Sequence, residues 1–62
     1  MFFVHLVGDD GFDMWEDITD CDTRIEADDF IKEQMKQFGR EIKRIRIING
    51  KVVHDKEFRR ET

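Results

Sequence analysis

The stretch Gly8-Asp9-Asp10-Gly11-Phe12-Asp13-Met14-Trp15-Glu16-Asp17-Ile18 carries two messages, a chain reversal and a strand. Gly and Asp tolerate positive φ, so Gly8-Asp9-Asp10-Gly11 reads as a turn. Beyond it, alternation puts Phe12, Met14 and Ile18 on one face and Asp13, Trp15 and Asp17 on the other. Upstream, residues 2–7 form a nearly continuous apolar run with aromatic and β-branched members, the pattern of a strand buried on both faces. The two segments are expected to pair as a hairpin.

Downstream, residues 19–22 form a polar link. Thr23-Arg24-Ile25-Glu26 matches the capping box, in which Thr closes the helix start and Glu three residues on returns the bond. Asp28 and Asp29 place negative charge near the positive end of the helix dipole. Ala27, Phe30, Ile31, Met35 and Phe38 recur at helical spacing as one apolar stripe, and Gly39 suits a left-handed stop. The spacing predicts a helix over residues 24–38.

Residues 42–48 alternate again, and Asn49-Gly50 is a strong hairpin signal. A two-residue turn there pairs Ile48 with Lys51, Ile47 with Val52, Ile45 with His54 and Arg44 with Asp55. One face then carries Ile45, Ile47, Val52, His54 and Phe58, and the other Arg44, Arg46, Val53 and Asp55. The order is β-β-α-β-β. The expectation is an α+β fold, an antiparallel sheet in strand order 2-1-3-4 with one helix packed on one face.

At 62 residues the chain makes one domain, residues 1–62, whose end Arg59-Arg60-Glu61-Thr62 is expected to fray. A chain this short buries only roughly 60% of its unfolded surface, so its core needs help. The single cysteine, Cys21, rules out an internal disulfide and fits a reducing, cytoplasmic compartment. Association is the remaining remedy, and a homodimer is expected. The apolar start lacks a basic leader and is too short for a signal peptide, and no run approaches the ~18 apolar residues of a membrane span. No membrane partner is expected.

Charge is divided unevenly. Residues 9–29 hold ten acids against one base, Arg24, whereas ten of the eleven bases lie at Lys32 or later. The net charge of −4 disfavours nonspecific attraction to nucleic acid. If Phe12 and Met14 face the helix, the turn sends Phe3, His5 and Val7 there too. Phe2, Val4 and Leu6 then join Trp15 on the uncovered face, a far-face or dimer patch framed by Asp13 and Asp17. An aromatic centre with an acidic rim is how interface hot spots are built. The simpler reading covers that patch with the stems of Arg44 and Arg46, paired with Asp13 and Asp17.

Catalytic chemistry is sparse. The chain has no serine, tyrosine or proline, and Cys21 sits beside Asp20 and Asp22, whose charge raises a thiol's pKa. Asp9, Asp10 and Asp13 are hard oxygen ligands, but their spacing is not that of a calcium loop, and turn aspartates usually bond their own backbone. His5, His54 and Cys21 lack zinc spacing. No enzyme, metal or cofactor is expected. The basic hairpin and tail, with Lys43, Arg44, Arg46, Lys51, Lys56, Arg59 and Arg60, are interrupted by Glu41, Asp55, Glu57 and Glu61, which favours cross-strand pairing over a nucleic-acid groove.

In organisation, residues 4–48 resemble the small acidic phage inhibitors of host DNA enzymes, such as those directed at uracil-DNA glycosylase. The resemblance rests on the Asp/Gly turn in a hairpin, the acidic helix start and the following strand rich in Ile and Lys or Arg. It implies a virus-encoded inhibitor that occupies a site meant for nucleic acid. The expected function is therefore non-enzymatic binding of a protein with a basic surface. Trp15, Asp13, Glu16 and Asp17 form the expected centre, and Asp9, Asp10 and Asp20 the charged rim. The alternatives are a nucleic-acid-binding or regulatory module using the basic hairpin, and a purely structural homo-oligomer subunit.

Overall fold

The computed structural model describes residues 1–58, so the expected fraying of residues 59–62 lies outside the described residues. Four strands and a helix follow in the expected order: β1 (Phe2–Asp9), β2 (Met14–Cys21), α1 (Arg24–Phe38), β3 (Ile42–Ile48) and β4 (Val52–Glu57). The strands make one open antiparallel sheet in the order β2-β1-β3-β4, with α1 packed on one face. It is the expected α+β fold. The helix lies over β1, β2 and β3 but does not reach β4, which is exposed along its whole length.

For β1 and β2 the face that α1 covers is the opposite of the one expected, whereas β3 presents Ile45 and Ile47 to the helix as its alternation suggests. In the first hairpin Val4 stands beside Thr19, Leu6 beside Asp17 and Gly8 beside Trp15. In the next ladder Val4 stands beside Ile47 and Leu6 beside Ile45. Val4, Leu6, Ile45 and Ile47 are thus one row of neighbours, and all four are buried under α1 with Ala27, Ile42 and Cys21. Phe2, Val4 and Leu6 are not a far-face patch. Trp15, too, lies on the helix side, packed against that core.

The reason is a competition between strands. The alternation in β2 favours burying Phe12, Met14 and Ile18, and the apolar sets of β1 and β3 favour the other face. β1 and β3 are central and are covered by the helix; β2 is an edge. Burying four aliphatic side chains of the central strands removes more apolar area from water than burying three at an edge. β2 follows, leaving Met14 73% and Ile18 66% exposed. Phe12 falls in the turn, 94% exposed, because β2 begins only at Met14.

The far face accordingly carries Phe3, His5 and Val7 of β1, with Met14, Glu16, Ile18 and Asp20 of β2. Arg44, Arg46 and Ile48 of β3 continue it.

Further local details differ from the sequence reading, and Thr19, Asp20 and Cys21 of the expected polar link continue β2. The second hairpin has Ile48 beside Val52, Ile47 beside His54, Arg46 beside Asp55 and Arg44 beside Glu57. Asn49 N–H donates to Lys51 C=O and Gly50 has φ +74°, so the turn takes in one residue more than a two-residue connection. A bulge between Ile47 and Ile48 absorbs the mismatch, and it moves Val52 off the face of Ile45 and Ile47 to stand beside Ile48. Arg44 still grips Asp55 diagonally, Nε to Oδ1 at 2.9 Å and Nη2 to Oδ2 at 2.7 Å. It does not pair with Asp13 or Asp17.

The helix begins as expected, with Thr23 Oγ1 accepting from Glu26 N–H at 3.2 Å. Glu26 returns the bond one residue earlier, to Asp22 N–H. At the other end Gly39 is right-handed, φ −54°, and not the left-handed stop expected. Its glycine serves close approach, since an added Cβ would lie 2.4 Å from the Met35 carbonyl oxygen.

Candidate functional site

Trp15 is held by three neighbours. Across the hairpin is Gly8, whose missing side chain leaves room for the indole. Nε1–H donates to Glu41 Oε1 at 3.2 Å, and the ring meets Phe38 edge-on with centroids 6.1 Å apart. Gly8 belongs to β1, Glu41 precedes β3 and Phe38 ends α1. The indole therefore ties the end of the helix to the open end of the sheet.

A gap remains between the helix and edge strand β2. It is an open groove of about 440 Å³ lined by Trp15, Asp17, Thr19, Phe30, Gln34 and Phe38. Three aromatic rings make its walls apolar. Polar groups are few, and Thr19 Oγ1 donates to Asp17 Oδ2 at 3.0 Å on the strand side. An apolar cleft with a small number of placed polar groups is the usual form of a binding site.

Of the residues singled out in the sequence, Trp15 and Asp17 meet in this groove, on the side of the sheet opposite to that expected. Glu16 and Asp20 project from the other face of the same strand, and Glu16 Oε2 lies 3.7 Å from His5 Nε2. Asp13 lies in the turn before β2 and does not line the groove. Asp9 and Asp10 are occupied locally. Asp9 Oδ1 accepts from Gly11 N–H, and Asp10 Oδ1 accepts from Phe12 N–H and Asp13 N–H at 2.8 and 2.9 Å. Those two donors, Asp13 first, hold the Asp10 carboxyl below its ordinary pKa. They are turn-makers.

Phe30, Gln34, Phe38 and Thr19 complete the groove and were not singled out from sequence as site residues. A signal existed: Gln34 falls four residues from both Phe30 and Phe38, a polar side chain on the edge of an otherwise apolar helical stripe.

Cys21 is buried at the far end of β2. Burial first, and then the charges of Glu26, Asp20 and Asp22, push its thiol above the ordinary range, which suppresses the reactive thiolate. Among the described residues no three His, Cys, Asp or Glu side chains gather as a metal site, and no helix is long and apolar enough to cross a membrane. In the basic hairpin, Arg44 is engaged by Asp55 and Lys56 Nζ lies 5.1 Å from the Phe58 ring centre. The chain matches no protein-family model, no curated protein and no solved structure.

Proposed function

We propose that this chain is a non-enzymatic binding module that captures a basic segment of a partner protein through the groove between β2 and α1. One observation carries the reading: the aromatic groove opens directly beside an edge strand that bears Glu16, Asp17 and Asp20. The groove supplies desolvated aromatic area, the main source of affinity in hot spots. The acids on both faces of β2 supply charge selection and faster encounter with a cationic partner. A partner whose basic segment handles nucleic acid is blocked by such capture. The chain then acts as an acidic competitor, and inhibition is its outcome.

The test is capture from a cell lysate on immobilised wild-type protein, beside two variants at exposed positions, Glu16→Lys with Asp20→Lys, and Phe38→Ser. The proteins retained by wild type are expected to be lost from both variants and to elute with rising salt, as exposed charges are screened. Added nucleic acid is expected to compete. Retention of the same proteins by both variants, unaffected by salt, would exclude this function.

A further inference from the structure

The edge beside the groove has a defined hydrogen-bonding parity. The Asp10 N–H to Asp13 C=O bond opens the β1–β2 ladder, and bonded pairs then alternate along it. The alternation turns the backbone groups of Trp15, Asp17 and Thr19 inward to β1. Those of Glu16, Ile18 and Asp20 turn out to the open edge of the sheet. Asp9 N–H donating to Glu41 C=O confirms the parity, since Asp9 stands beside Met14 and faces away from β2.

We propose that the captured segment docks as a fifth strand on β2, with cationic side chains four residues apart and two apolar side chains, at the alternate positions between them, facing the groove. This inference rests on the function proposed above and specifies its ligand. The spacing follows from the pleat. Glu16, Ile18 and Asp20 alternate on the far face of β2, so an added strand sets residues i, i+2 and i+4 beside them on that same face. Cations belong at i and i+4, beside Glu16 and Asp20, with a neutral residue between them beside Ile18. Residues i+1 and i+3 point to the helix side, beside Asp17 and Thr19, where Trp15, Phe30 and Phe38 offer an apolar wall. Main-chain bonds give affinity without sequence demand, and the two faces give the pattern. The occupant is thus a short extended peptide that reads cation, apolar, neutral, apolar, cation.

The probe is the blocked peptide Thr-Lys-Leu-Thr-Leu-Lys-Thr, and the reporter is the intrinsic emission of Trp15, the only tryptophan in the chain and a wall of the groove. Saturable change in that emission is expected, and none with the twin carrying Glu for both Lys. Two further peptides carry one N-methyl group each, on the central Thr or on the Leu that follows it. Neighbouring amides of a strand point to opposite sides. One methyl is therefore expected to weaken binding about tenfold or more and the other to leave it within about twofold.

Equal binding of the two methylated peptides overturns strand addition while leaving the groove reading intact. Better binding by a peptide with its lysines two apart overturns the spacing. No change in Trp15 emission with any peptide overturns the strand-addition proposal. The function itself stands or falls separately, on whether lysate capture responds to Glu16→Lys with Asp20→Lys and to Phe38→Ser.

Discussion

A Cβ placed on Gly8 would lie 2.2 Å from both Cε2 and Cζ2 of Trp15, so the indole rests on bare backbone of the neighbouring strand. No side chain fits between them. Gly8→Ala is expected to push the ring outward, lengthen its bond to Glu41 and destabilise the fold by about 1–3 kcal/mol, the range for overpacking. The emission maximum should move to the red as the ring meets water. An unchanged spectrum and melting temperature would mean that the ring is not seated there.

The face covered by α1 can be read from two substitutions. Leu6→Ala, at a fully buried position, is expected to cost about 2–5 kcal/mol. A single core below about 70 residues supplies roughly 3–5 kcal/mol, so that variant should be largely unfolded without stabilising salt. Ile18→Thr, on the exposed face of β2, should stay within about 0.5 kcal/mol of wild type. Urea midpoints decide it, and the reverse order would place the helix on the other side.

At Gly39 the requirement is for space and not for a left-handed backbone. Asn normally replaces a left-handed glycine better than Ala does. Here both should be equally poor, each lowering stability by about 1–3 kcal/mol through contact with the Met35 carbonyl. Clear rescue by Asn in thermal unfolding would show that conformation matters after all.

Asp10 gives the first turn a pH dependence of known sign. Its carboxyl is held below its ordinary pKa by the Asp13 and Phe12 amides. Folding therefore gains from the ionised form at pH above the unfolded value, about 3.9, and loses that gain as pH falls through the lower, folded value. Asp10→Asn keeps an Oδ1 that can accept both amides but cannot titrate. Its melting temperature should change little at neutral pH and fall less than that of wild type on acidification. Parallel melting curves from pH 6 down to pH 2 make the comparison.

Cys21 should react slowly with iodoacetamide at neutral pH, because burial and three nearby carboxylates disfavour the thiolate. In urea the rate should rise to that of a free thiol. Fast labelling of the native chain would show that the end of β2 opens readily.

Most of the architecture was legible in the sequence. The capping box at Thr23, the apolar stripe from Ala27 to Phe38 and the Asn49-Gly50 turn are local signals, and their elements formed where they pointed. What failed was a choice between faces. Local alternation in β2 said that Phe12, Met14 and Ile18 go inward. The deciding fact is the register that sets Val4 and Leu6 beside Ile47 and Ile45, residues some forty positions apart. No short window contains it. The same limit hid the groove, whose walls come from β2 and α1, two elements that only tertiary packing sets face to face. Trp15 and Asp17 were identified as neighbours from strand parity alone, and that relation survived the change of face.

The alternation of Glu16, Ile18 and Asp20 also governs how molecules of this chain treat one another. An open sheet has two bare edges, and a bare edge is a template for a second copy of itself. Were β2 to pair with β2 of another molecule about a twofold at Ile18, Glu16 would stand against Asp20 twice over. About a twofold at Asp17, that carboxylate would face its own image. Like charges directly opposite destabilise a ladder. In those two registers self-pairing of β2 therefore carries a like-charge penalty, one that pairing with a cationic strand does not carry.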